Sequence, residues 1–90
     1  MLVIRLEENA LWGDTPLHEA LVLRMRQSGA SNAAAERGVS VYGAGGEGRS
    51  ITITAIETEE MLWDIIPVVK AMAPKAMIAL LDAEVVSANF

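Results

Sequence analysis

The sequence has no cysteine. Disulfides, thiolate metal sites and a cysteine nucleophile are therefore excluded from its chemistry. Histidine occurs once, at His18, so a metal site there would have to recruit acids such as Asp14 and Glu19 from the same turn. No ligand spacing of a known metal type is present, and a packing or surface role is expected for His18. Bases are few: seven Lys and Arg against twelve Asp and Glu leave a formal charge of -5 and no long basic run. That removes the electrostatic attraction on which nonspecific nucleic-acid binding depends. Aromatic residues make up only 4% of the chain, and Trp12 and Trp63 are read as packing anchors rather than stacking platforms. No uninterrupted apolar run approaches the ~20 residues that a membrane-spanning helix needs. The opening Met1-Leu2-Val3-Ile4-Arg5-Leu6-Glu7-Glu8 carries charges inside a short apolar stretch, unlike a three-part secretory signal. A cytoplasmic location without membrane insertion is the default expectation.

What the sequence does have is apolar surface. Hydrophobic residues are 52% of 90 positions, too many for disorder and more than a small monomer easily buries. A single domain over residues 1–90 is expected, with part of its apolar surface facing another subunit. The five methionines suit irregular gaps in a core or an interface.

Periodicity orders the chain. Leu2, Ile4 and Leu6 alternate with Val3, Arg5 and Glu7, the two-residue repeat of a strand with one buried face. Past Gly13-Asp14, Thr15 suits an N-cap and Pro16 a first helical position, which predicts a helix over residues 15–28 stopped by Gly29. Leu17 and Leu21 mark its apolar stripe, broadened by Ala20, Val22 and Leu23. Val39 and Val41, then Ile51, Ile53 and Ala55, predict a β-hairpin whose connection is Gly-rich; its first strand extends back toward Ala33. Thr58 followed by Glu59-Glu60 starts a second helix, with Met61, Leu62, Ile65, Ile66, Val69 and Met72 on its apolar face. Pro67 predicts a kink or an early break inside it, and Pro74 its end. Residues 76–86 read as either helix or strand. A last strand is chosen because it completes two β-α-β halves, so the expected fold is α+β: a ferredoxin-like βαββαβ sandwich, an antiparallel four-stranded sheet with two helices on one face. Apolar residues on both faces of that strand, through Met77, Ile78, Leu80, Leu81, Val85 and Val86, predict a subunit interface on the uncovered side.

Gly43, Gly45 and Gly48 satisfy the spacing of the dinucleotide fingerprint. Its mechanism, however, needs a helix N-terminus after the last glycine, and Arg49-Ser50-Ile51-Thr52-Ile53-Thr54 reads as a strand. A hairpin tip is the commoner meaning of such glycines, and an anion-binding nest with Arg49 the rarer one. Arg37, Arg49 and Lys75 are expected at one end of the domain, where they could hold a phosphate or carboxylate; solvation or pairing with Glu36 and Glu47 is the usual fate of such side chains. Nothing marks an activated serine, a nucleophile-base pair or a cofactor motif, so no enzymatic activity and no cofactor are expected.

The pieces in order resemble a known family. These are a first strand ending in Glu7, Trp12 in the next loop, Pro16-Leu17-His18-Glu19-Ala20-Leu21-Val22 opening a helix, Gly29-Ala30, Arg37-Gly38-Val39, Tyr42-Gly43, Glu59-Glu60, Pro67 and Val85-Val86. They are similar, across nearly the whole chain, to the PII-like family called domain of unknown function 190. The resemblance implies a ferredoxin-like subunit that trimerises, with clefts between neighbours. It departs from signalling PII proteins in the short connection from Gly43 to Ser50, where those carry a long mobile loop. It departs again in Ala73-Pro74-Lys75-Ala76, where nucleotide-binding PII proteins carry a Gly-rich loop containing Lys.

Three kinds of function follow from the resemblance. The first is a trimeric sensor or regulator that binds a small anionic metabolite, adenine nucleotides among the options, through Arg37, Gly38, Tyr42, Gly43, Arg49 and Lys75. The second is a ligand-free structural or adaptor trimer docking on a transporter or enzyme. A metal-tolerance trimer similar to copper-tolerance proteins of this fold is a third option, without obvious ligands.

Overall fold

The computed structural model describes residues 1–42 and 46–82 and, within these, the side chains other than those of residues 39–42 and 46–48. Its elements in chain order are β1 (Leu2–Glu7), β2 (Leu11–Trp12), β3 (Thr15–Pro16), α1 (Leu17–Gln27), β4 (Ala34–Tyr42), β5 (Gly46–Ala55), α2 (Glu59–Met72) and β6 (Met77–Leu80). The large sheet has the order β4-β5-β1-β6, every neighbouring pair antiparallel. Each β-α-β crossover thus straddles a strand of the other: β1-α1-β4 encloses β5, and β5-α2-β6 encloses β1. This is the ferredoxin-like α+β arrangement that the residue pattern predicts.

Alternation decides which face meets the helices. Leu2, Ile4 and Leu6 of β1 and Ile51, Ile53 and Ala55 of β5 are buried, and they pack with Leu17, Leu21 and Met25 of α1 and Leu62, Ile65, Ile66 and Val69 of α2. Truncating any of the larger of these side chains to alanine costs about 2–5 kcal/mol, transfer and cavity together. Among the described residues, the opposite face carries no helix. Registered pairing lays two rows across it, Ala79–Val3–Thr54–Ala34 and Met77–Arg5–Thr52–Glu36.

Helix ends show how local chemistry sets boundaries. Thr58 caps α2 as expected, its Oγ1 accepting from the Met61 N–H at 3.3 Å, with Glu59 and Glu60 at the positive end of the dipole. Thr15 does not cap α1. It pairs with Trp12 in the two-residue β2–β3 ladder, Pro16 takes the N-cap position, and the Leu17 N–H is satisfied by the Ala10 carbonyl at 2.8 Å. A backbone acceptor has replaced the expected side chain, so α1 starts two residues later. Its C-terminus is a Schellman turn: Ala30 N–H to Met25 carbonyl at 2.9 Å and Gly29 N–H to Arg26 carbonyl at 3.1 Å, with Gly29 at φ +108°.

Three further expectations are corrected. Of the kink or early break expected at Pro67, the break does not occur: α2 continues through the exposed Pro67 to Met72. The hairpin is longer than expected, since Gly46–Ser50 belong to β5 and not to the connection, Tyr42 pairing with Gly46; the ladder overrides the poor strand propensity of the glycines. Of the last strand predicted over residues 76–86, β6 covers Met77–Leu80, and Val85 and Val86 lie outside the described residues.

Among the described residues, no helix is long and apolar enough to cross a membrane.

Candidate functional site

The end of the sheet where β1 finishes at Glu7 collects charge. Register places Arg37 opposite Ile51 and Arg49 opposite Val39, so both arginines rise from the helix-side face of the sheet, one diagonal step apart. Such diagonal neighbours are about 7–8 Å apart at their backbones. Glu8, the first residue past β1, continues the alternation and emerges on the same side. Its N–H donates to the Arg49 carbonyl at 3.1 Å, and its Oε1 lies 3.2 Å from Arg37 Nε. The Arg37 side chain is 72% exposed and that of Glu8 25%, so this is a solvent-screened pair of small net worth.

Glu8 is the participant that reading along the chain misses. It stands 29 positions from Arg37, and the pairs expected there were with Glu36 and Glu47. Alternation sends Glu36 to the opposite face, in a row with Thr52, and Glu8 to the side of both arginines; the Glu47 side chain lies outside the described residues.

The other predicted site residues divide. Gly38 lies opposite Ser50 on the helix-free face, and a Cβ placed there would meet only Ser50 Oγ, at 4.0 Å, so it has room for a side chain. Lys75 stands in the turn between α2 and β6. It is at the same end of the sheet but beside the opposite edge, three interstrand steps or about 14 Å from β4. One chain therefore brings Arg37 and Arg49 together and leaves Lys75 apart. The Tyr42 side chain and Gly43 lie outside the described residues.

His18 is half-buried, and among the described residues its Nδ1 is enclosed with no hydrogen-bond partner. It lines a shallow hollow of about 300 Å³ with Val22, Leu23, Arg26 and Ala35. Arg26 is spent on structure there, donating to the Ala33 carbonyl at 3.0 Å. Among the described residues no group of three or more His, Cys, Asp or Glu is placed to hold a metal ion.

Neither tryptophan is a packing anchor, contrary to expectation. Trp63 is 56% exposed on the outward stripe of α2, its Nε1–H donating to Glu59 Oε1 at 3.3 Å one turn earlier. Trp12 is 48% exposed on the β2–β3 ladder and borders, with Ala20, Leu23 and Met72, an apolar groove of about 420 Å³ on the outside of the helix layer. Leu11 and Leu23 are also exposed there.

No curated protein matches the chain. The family described as Uncharacterized ACR, domain of unknown function 190, matches it over residues 1–85. With that match and the ferredoxin-like topology, the chain belongs to the domain of unknown function 190 family, the family that its ordered motifs resemble.

Proposed function

We propose that the protein is a trimeric PII-like regulator that binds a small anionic metabolite, adenine nucleotides included, at clefts between its copies. The observation that carries this reading is a helix-free sheet face bordered by two free strand edges, with Arg37 and Arg49 rising beside one of them. One row of the face is small, Ala79, Val3, Thr54 and Ala34, which suits flat strand packing, and the next adds Met77, Arg5, Thr52 and Glu36, a long apolar group and two opposite charges. Among the described residues, the nine-residue strand β4 is paired on one side only, and β6 likewise. Unpaired edges are templates for another chain, and a contact between edge β4 of one copy and edge β6 of the next is heterologous, the kind that closes rings. The number three comes from the family likeness. In such a ring the Lys75 end of β6 in one copy approaches the Arg37 and Arg49 end of β4 in its neighbour, which would reunite the three cations that one chain keeps apart. The protein acts in the cytoplasm and by binding, without turnover of its ligand.

A second reading has its own support. Leu11, Trp12 and Leu23 are exposed on the outside of the helix layer, away from the sheet face, where a ligand-free adaptor would dock a transporter or an enzyme.

A thermal-shift screen against ATP, ADP, AMP, inorganic phosphate, small carboxylates and divalent metals separates the readings. A ligand that binds only the native state adds about 2.7 kcal/mol at a hundred times its Kd, which raises the melting temperature of a domain this size by roughly 10–20 °C. A shift with a nucleotide, phosphate or carboxylate supports the regulator. No shift from any anion, in a protein that is still an oligomer, favours the adaptor, and a shift confined to metals would revive the metal-tolerance option.

A further inference from the structure

We propose that Glu8 is a positioning residue for an oxyanion site on Arg37 and Arg49, holding Arg37 so that its terminal amino groups face the ligand. The proposal rests on the anion-binding reading above and adds how the site is kept in order and which chemistry it takes.

Arg37 projects from an edge strand with 72% of its side chain exposed, and a guanidinium in that position is free to sweep many rotamers. Ordering it on a ligand costs up to about 2 kcal/mol of side-chain entropy. Glu8 removes part of that freedom in advance. Its backbone is held beside β5, because its N–H donates to the Arg49 carbonyl at 3.1 Å, and from there its carboxylate reaches across β5 toward Arg37 on the edge strand β4. That carboxylate touches Arg37 at Nε, 3.2 Å away, on the side of the guanidinium rather than at its end. Among the described residues, the two terminal amino groups of Arg37 have no partner. They form the planar fork that matches two oxygens of a phosphate or a carboxylate.

Among the described side chains, Arg37 and Arg49 share the helix-side face with the one carboxylate of Glu8, and the Glu47 side chain lies outside them. Were Glu8 simply a competitor occupying the place of the ligand, it would be expected at the terminal fork. Its contact at Nε instead leaves that fork open. The ligand class is therefore a planar oxyanion, phosphate or carboxylate, met bidentately by Arg37 and by the charge of Arg49.

The two roles of Glu8 predict opposite signs. Removing a negative charge beside an anion site tightens binding by electrostatics alone, whereas removing a strut loosens it. The test is calorimetric titration of the full chain with ATP, with inorganic phosphate and with succinate, the three arms separating nucleotide, bare phosphate and carboxylate. It is run on wild type, Glu8→Ala, Glu8→Gln and Arg37→Lys, with each melting temperature recorded.

Positioning predicts that Glu8→Ala weakens whichever probe binds about two- to fivefold, the span of an exposed ion pair. Glu8→Gln, which keeps the length and an oxygen within reach of Nε but not the charge, should restore wild-type affinity or better. Arg37→Lys keeps the charge and loses the fork, and should weaken binding at least as much as Glu8→Ala. If Glu8→Ala does not fold, Glu8→Asp, one methylene shorter, replaces it with the same expected loosening. Wild-type binding that is unchanged or tighter in the Glu8→Ala or Glu8→Asp protein overturns the positioning role and leaves the anion reading intact. Wild type that binds none of the three probes overturns both.

Discussion

Thr54→Arg should dissociate the assembly while leaving the subunit folded. Thr54 stands in the row Ala79–Val3–Thr54–Ala34, on the face turned away from both helices, with its cross-strand partners Val3 and Ala34 on that same face. Thr54 is half-buried on a face without a helix among the described residues, so the cost to folding should stay within about 1 kcal/mol, the centre of the usual range for a single change. If the face packs against another copy, the same side chain forces a long guanidinium into the row of Ala79, Val3 and Ala34, with Glu36 one diagonal step away. Overpacking of that kind costs about 1–3 kcal/mol, roughly five- to a hundredfold in the dissociation constant, and it is incurred once per copy. Light scattering coupled to size exclusion at micromolar concentration should read a wild-type mass of three times 9.6 kDa, about 29 kDa, and a variant mass near 9.6 kDa, with the far-ultraviolet circular dichroism unchanged. A variant that keeps the wild-type mass shows that the helix-free face is not the buried one. Wild type eluting near 9.6 kDa refutes assembly itself, and a mass of two chains refutes only the threefold number.

Gly29→Ala should lower stability by about 1–3 kcal/mol: φ +108° is strained for any residue with a Cβ, and the added atom would meet Met61 Cε at 3.3 Å. Urea denaturation should show a lower midpoint at unchanged slope, and an unchanged midpoint would contradict the turn geometry. Asn32→Ala removes a side-chain amide that bonds both the carbonyl and the N–H of Ile56, and should cost about 1–2 kcal/mol in the same assay. A loss below about 0.3 kcal/mol would mean that water replaces the amide fully. Thr58→Ala should cost about 1 kcal/mol through loss of the α2 cap. ATP incubated with the pure protein should not be hydrolysed above a blank; turnover abolished by a single-site change would overturn the non-enzymatic reading.

How far the fold was readable from residues depends on the range of the physics involved. The alternation of Leu2, Ile4 and Leu6, the 3.6-residue spacing of Leu62, Ile65, Ile66 and Val69, the Thr58 cap and the Gly29 stop are all local. Each predicted its element, because hydrophobic periodicity and capping act within a few residues. The misreadings arose where a distant partner outcompeted local preference. Thr15 looks like a cap until Trp12 is there to pair with it, and Gly46–Ser50 look like a loop until β4 supplies a ladder. Leu23 and Trp63 look like core until α1 and α2 are rotated to present Leu17, Leu21 and Met25 on one side and Leu62 and Val69 on the other.

Composition and periodicity thus determined by themselves the class of the chain: α+β, poor in metal-ligating and nucleophilic groups, acidic, and with more apolar surface than its size easily buries. The order of motifs along the chain was enough to point to the family. Tertiary structure alone decided which charges meet. Arg37, Arg49 and Lys75 were expected to converge at strand ends, yet Arg37 and Arg49 lie within β4 and β5, strand order puts Lys75 beside the far edge, and strand alternation turns Glu36 away and brings in Glu8. Residue type and spacing carry no record of strand order or of which face a residue takes in the final register. Those follow from how two interleaved crossovers close over one core, a property of the whole chain.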